Sequence, residues 1–248
     1  MNNIPKVIHY CWFGKNKKSK LIKKCIASWK KYCPDYQIVE WNEDNFDINM
    51  NSYVNEAYIS KKWAFVSDYA RLYIIYNYGG IYFDTDVELI KNIDELLSYN
   101  SFFAIETTKY VATGLGFGAF KNNKLVKLML ASYDNVHFKK NDGSYDELPC
   151  PVRNTESILE TFKLADLSNK SIAIVDNNAF LSSEYFCPFI PSTGEMKITN
   201  NTLGIHWYNA SWRNKSTNIK GVLLRPLKRA IGLERFTRIK KRLKGGDK

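Results

Sequence analysis

The sequence predicts an α/β protein: one domain built on a Rossmann-like mixed sheet flanked by helices, followed by a basic helical tail. Three observations carry this. At 248 residues the chain is long enough to bury one large core. Its first 41 residues read as strand, helix, strand, which calls for a parallel pair and a crossover helix. An apolar strand at 81–84 then runs straight into an acidic pair, the usual place for a site in open α/β sheets.

Taken in order, Ile4 to Trp12 (IPKVIHYCW) is dense in β-branched and aromatic residues and stops at Gly14, a first buried strand. From Ser19 to Tyr32, Leu21, Ile22, Cys25, Ile26 and Trp29 recur at helical spacing. Tyr36 to Trp41 reads as the second strand. Asn51 to Tyr78 has the periodicity of one long helix, ended by Gly79-Gly80. Ile81 to Asp84 is a strand, Asn92 to Leu97 a short helix and Ser101 to Glu106 a strand. The glycine-spaced run Gly114-Leu115-Gly116-Phe117-Gly118 turns into a further strand. Helices are expected at 124–132 and 155–164, strands at 171–175 and 203–207, and a long surface loop at 141–151. Residues 1–213 form the domain and 214–248 the tail.

Composition removes several classes. With 45% hydrophobic and 15% aromatic residues, the chain is folded rather than disordered. The five cysteines are scattered, odd in number and without a Cys-x-x-Cys pair, so neither a disulfide framework nor a zinc site is expected. No signal sequence is visible, and no apolar run reaches the roughly 18 to 20 residues of a membrane span. A cytoplasmic protein follows. The net charge of +11 would point to nucleic acid if it were spread out, but residues 214–248 alone carry +10. The near-neutral body has no use for nucleic acid.

Asp84 and Asp86 stand two apart, so an extended chain points both carboxylates to one side. Such a pair repels unless a cation lies between, and Mn²⁺ or Mg²⁺ favours one or two carboxylates completed by phosphate oxygens and water. Asp-x-Asp alone is also common in plain turns. Asp68 and Arg71 form a narrow polar stripe, with Ser67, on the otherwise apolar helix from Trp63 to Tyr76. They are either a buried ion pair or groups awaiting a ligand's hydroxyls. His206, one of three histidines, is read as a core residue or a metal ligand, and a ligand role needs its neutral form.

IPKVIHYCWFG, WAFVSDYARLYIIYNYGGIYFDTDVE and IHWYNASW, in this order over residues 4 to 212, resemble the bacterial glycosyltransferases that share an Asp-x-Asp sugar-binding region with fungal α-1,6-mannosyltransferases and clostridial glucosylating toxins. The resemblance implies a GT-A fold, a divalent metal, a nucleotide diphosphate sugar as donor, UDP preferred, and transfer with retention of configuration. It places Asp84, Asp86 and His206 at the metal and Asp68 and Arg71 on the donor sugar. Trp12 and the backbone at Gly14 fall at the base, Tyr82 at the nucleotide, and Ser211 and Trp212 over the diphosphate. Asn154 and Thr155 fall near the transferred sugar, although the local pattern departs from the family there.

From Lys220 to Lys244, leucines, isoleucines and Phe236 alternate with ten basic residues and one acid, approximating an amphipathic helix on an anionic membrane surface. A transferase peripheral to the inner face of the membrane would meet an oligosaccharide or lipid-linked glycan acceptor, as in capsule, O-antigen or lipooligosaccharide synthesis. Two rivals remain. Asp-Thr-Asp-Val after a strand also opens haloacid-dehalogenase-type phosphatases, which carry it on their first strand with an acidic pair much later; here it lies some 80 residues in and no Asp-Asp pair follows. A non-catalytic carbohydrate- or membrane-binding module could also keep the fold.

Overall fold

A computed structural model describes residues 3–106, 110–159, 170–209, 224–232 and 235–238. Strand β1 (Val7–Cys11), helix α1 (Lys20–Tyr32) and strand β2 (Gln37–Trp41) form the expected crossover unit, with β1 and β2 parallel. Ser19 caps α1, its hydroxyl accepting from the Ile22 N–H. The segment expected as one long helix is two: α2 (Ser52–Ile59) and α3 (Trp63–Tyr78). Lys61 breaks it with a positive φ of 56°, and Asn51 caps α2 through two backbone N–H groups. Hydrophobic period alone could not see this break, because both halves bury apolar residues in the same core layer.

Gly79 ends α3 at φ 69° and leads into β3 (Gly80–Tyr82). Then follow β4 (Val87–Leu89), a 3-10 turn at Asp94–Ser98, β5 (Ser101–Ala104), β6 (Phe117–Ala119), α4 (Lys124–Ala131) and α5 (Cys150–Leu159). Helix α5 starts five residues before its predicted position, drawing Cys150 and Pro151 out of the expected loop, and the predicted continuation past 159 lies outside the described residues. After β7 (Ile172–Val175), β8 (Asn178–Leu181), β9 (Phe189–Ile190), β10 (Glu195–Met196) and β11 (Gly204–His206) comes α6 (Arg225–Ile231).

Among the described residues, seven strands form one mixed sheet in the order β2-β1-β3-β6-β5-β8-β7, with β2, β1 and β3 parallel and β6 running against its neighbours. Alternation along the strands divides the core in two. Tyr82, Phe103, Phe117 and Phe180 face the layer of α2 to α5, whereas Ile8, Tyr10, Ile81, Phe83 and Phe102 face Trp29 of α1. The parallel strands β1, β2 and β3 therefore deliver Trp12, Trp41 and the acidic segment to one end of the sheet.

Candidate active site

Asp84 and Asp86 do not sit on an extended strand, as the spacing had suggested. The Asp84 N–H donates to the Gly114 carbonyl (3.0 Å) and the Val87 N–H to the Asp84 carbonyl (3.0 Å), so a tight turn presents the two acids. Strand β4 then pairs antiparallel with β11, setting His206 opposite Val87. His206 Nε2 lies 3.2 Å from Asp86 Oδ1, and the backbone N–H of Asn209 donates to Asp86 Oδ2 at 2.7 Å. Asp84, Asp86 and His206 each offer one ligand atom, all within 4.8 Å of one another. Two oxygens and an imidazole nitrogen fit a divalent ion with open positions. His206 Nδ1 is buried without a partner among the described residues, a further sign that this ring awaits something.

Charges around the cluster are split by their neighbours. Burial raises the Asp84 carboxyl above its usual range, outweighing the stabilising Arg71 guanidinium. Burial acts the same way on Asp86, but there His206 and the Asn209 N–H win and hold the carboxyl low. Burial would lower His206, yet Asp86 and Asp84 keep it above the ordinary imidazole value. A bound cation would replace the proton that this arrangement favours on His206.

Helix α3 supplies the adjoining charges. Arg71 Nη2 lies 2.8 Å from Asp68 Oδ1 and 3.3 Å from Asp84 Oδ1, its Nε donates to the Ser67 carbonyl, and its plane rests 5.1 Å from the Tyr82 ring centre. Tyr82 is 1% exposed, and its hydroxyl donates to Asp84 Oδ1 at 3.1 Å. Burial pushes Asp68 up to about 6 despite the arginine beside it. The sequence stripe is thus an ion pair that also reaches the acidic turn.

At the ends of β1 and β2 lies a cavity of about 550 Å³, lined by Trp12, Lys15, Lys18, Lys23, Glu40 and Glu43 among others. Trp12 is partly exposed there, its indole N–H on the Asn16 carbonyl and Lys18 Nζ 5.3 Å from its ring centre. Gly14 has φ 86° and donates its N–H to Glu43; a Cβ on it would come within 2.6 Å of the Trp63 ring. Asn154, on α5, is fully buried. Its amide nitrogen donates to Thr113 Oγ1 (2.9 Å) and Cys150 Sγ (3.1 Å), while its Oδ1 has no partner among the described residues. Thr155 is spent on backbone, accepting from the Val111 N–H and donating to the Pro151 carbonyl.

Residues 19–103 match the family described as a glycosyltransferase sugar-binding region containing a DXD motif. The matched segment is about a third of the chain and contains Asp84-Thr85-Asp86. Two Schizosaccharomyces pombe proteins resemble the chain. Inositol phosphoceramide mannosyltransferase 1 is 31% identical over 118 residues, covering 43% of this chain and 35% of the relative. Inositol phosphoceramide mannosyltransferase 3 is 30% identical over 107 residues, covering 39% and 28%. The chain thus spans about a third of the length of the curated relatives it matches. Among solved structures, PaToxG Glycosyltransferase superposes with a TM-score of 0.53 at 22% identity, over 66% of this chain and 71% of that one. That likeness is one of fold, and it agrees with the expected GT-A architecture.

The matched segment thus brings together Asp68, Arg71, Tyr82, Asp84 and Asp86, and β11, from outside it, adds His206. Ser211 and Trp212 lie outside the described residues. Two contributors escaped the sequence reading. A Cβ on Gly114 would overlap Asp84 Oδ2 and lie 2.8 Å from Arg71 Nη1, so only glycine lets the two charges lie against this loop. The glycine-spaced run flagged a turn, but not what packs on it. Asn209 acts through its backbone N–H, which no side-chain pattern reveals.

Proposed function

We propose that the chain is a metal-dependent glycosyltransferase that moves a hexose or N-acetylhexosamine from a nucleotide diphosphate sugar, UDP favoured, to a glycan acceptor with retention of configuration. The observation that carries this is the convergence of His206, on β11, with Asp84 and Asp86 in a turn of the segment that matches a DXD sugar-binding region, with Arg71 linking that turn to Asp68. Asp84, Asp86 and His206 would hold Mn²⁺ or Mg²⁺, and the nitrogen ligand suits Mn²⁺ better. When bound, the ion supplies positive charge for the departing diphosphate. Asp68 and Arg71 bind sugar hydroxyls, which can share a desolvated ion pair without breaking it. Trp12 offers an apolar face to the base, in a cavity lined by four lysines and three acids.

A membrane-borne acceptor fits two facts. The two yeast relatives are named for mannosylating inositol phosphoceramide, a lipid. The basic charge of the chain is concentrated at one end. The test is release of nucleotide diphosphate from a panel of nucleotide sugars with Mn²⁺, beside an Asp86→Asn control. Release from one donor, reduced at least about 100-fold by the substitution, is expected. Equal release by both proteins would remove Asp86 from the chemistry and the proposal with it.

A further inference from the structure

The described helix of the basic tail, α6, is docked, and what it docks on leads back to the acidic turn. Arg225 donates from Nε to the Pro191 carbonyl (3.1 Å) and sets its guanidinium 5.4 Å from the Phe189 ring centre. One turn later Arg229 donates to the Thr193 carbonyl (3.3 Å). Both therefore grip the β9–β10 hairpin from its loop side. Gly194, at φ 73°, makes room: a Cβ there would come within 3.0 Å of Arg225 Cδ. With two residues in each strand, such a hairpin cannot hold itself and needs a partner.

Phe189 also meets Trp207, ring centres 5.6 Å apart. Trp207 pins the arm that carries His206 and Asn209: its backbone N–H donates to the Asp86 carbonyl (3.0 Å) and its indole N–H to Glu88 Oε2 (2.9 Å). The arm is under constraint, because Tyr208, between Trp207 and Asn209, which both bond to Asp86, has φ 49°. A non-glycine residue stays there only while its surroundings over-determine it.

We infer that Arg225 is a positioning residue: it clamps Phe189 against Trp207 and so fixes His206 and the Asn209 N–H on Asp86. Arginine suits the task, since its planar fork can donate to a carbonyl while its face covers an aromatic ring. The tail therefore acts on the candidate site from behind, whatever else its remaining basic residues meet. The link to metal binding rests on the function proposed above; the mechanical link does not.

The test uses the full chain and two readouts. Hydrogen exchange over 204–209 and over 189–196 is compared for the wild type, Arg225→Ala, Arg225→Lys and Phe189→Ala, with Mn²⁺ affinity measured on the same proteins. Exchange in both segments should quicken several-fold in Arg225→Ala and Phe189→Ala while β1 to β3 keep their protection, and lysine should restore part of it. Mn²⁺ affinity should fall several-fold in parallel. If 204–209 exchanges as in the wild type in both alanine variants, whether or not the hairpin loosens, the inference is wrong. Should the wild type itself bind no Mn²⁺, the metal reading fails, and exchange alone still decides the role of Arg225.

Discussion

Trp41 has only an N–H to offer, and it lies 3.0 Å from Nδ1 of the buried His9, so that nitrogen must accept and the ring proton sits on Nε2, facing the Gly79 carbonyl at 3.0 Å. Both ring nitrogens are thereby committed in the neutral form, and burial drops the pKa to about 4 against the opposing pull of the carbonyl. An unfolded histidine titrates near 6.5, so between those values the unfolded chain takes up a proton that the folded one refuses. Stability is then complete above about pH 6.5 and declines as the pH falls, by about 2 kcal/mol at pH 5. Urea midpoints should show the gap between the wild type and His9→Gln shrinking by that amount from pH 7 to pH 5; a constant gap would mean the folded imidazole accepts its proton freely. Gly114 supports a second expectation. Gly114→Ala must push Asp84 off its seat against Arg71, and overpacking of this kind costs about 1 to 3 kcal/mol. Mn²⁺ affinity and donor turnover should fall at least tenfold in that variant, and wild-type values would show that the loop yields instead. Gly114 in the site and His9 in the core behind it mark the limit of what was legible. Asp68 and Arg71 were readable as charges on an apolar helix and Asp84 and Asp86 by their spacing, whereas His206 joined them only through the family resemblance. His9, Gly114 and Asn209 were not, because their contributions are a tautomer, a missing Cβ and a backbone N–H.

Helix α1 holds the acidic turn from behind through β4. The Trp29 indole N–H donates to the Val87 carbonyl (2.8 Å), and Ser28 Oγ accepts from the Leu89 N–H (2.9 Å) while donating to the Cys25 carbonyl. These bonds occupy the side of β4 turned away from β11, which would otherwise be a bare edge buried under a helix. Ser28→Ala leaves the Leu89 N–H without an acceptor, and such a loss costs about 1 to 3 kcal/mol. A loss of less than about 0.5 kcal/mol in the unfolding free energy from urea titration would indicate that water replaces the hydroxyl. Strand β4 itself was not anticipated from sequence; three residues after a turn give no period to read. The same holds for β9 and β10, each of two residues. The β1–α1–β2 unit, α3 and its glycine stop, β3, β6 and α4 were legible, since each repeats a hydrophobic period or ends on a marked residue. The split between α2 and α3 was hidden because Lys61 takes a conformation its identity does not announce.

For the whole molecule the governing fact is the segregation of charge: residues 214–248 hold +10 of a net +11. Part of that charge is already engaged, because Arg225 and Arg229 lie on carbonyls of the β9–β10 hairpin and Lys228 stands 5.5 Å from the Phe236 ring centre. Among the described residues, no helix is long and apolar enough to cross a membrane. Any hold on a bilayer that draws on this charge must therefore come from the other basic residues of the segment, among them Arg235 and Arg238, which are exposed, and the run Lys240-Lys241-Arg242. Each well-placed basic residue contributes about 1 kcal/mol on an anionic surface. Replacing Arg235, Arg238, Lys240, Lys241 and Arg242 together by glutamine should then weaken binding to phosphatidylserine vesicles at least about 100-fold, and raising salt to about 0.5 M should do the same to the wild type. Because the substitutions spare Arg225 and Arg229, hydrogen exchange over 204–209 should stay at its wild-type rate. Undiminished vesicle binding would leave the tail with its docking role alone, and the acceptor would then have to be sought in solution.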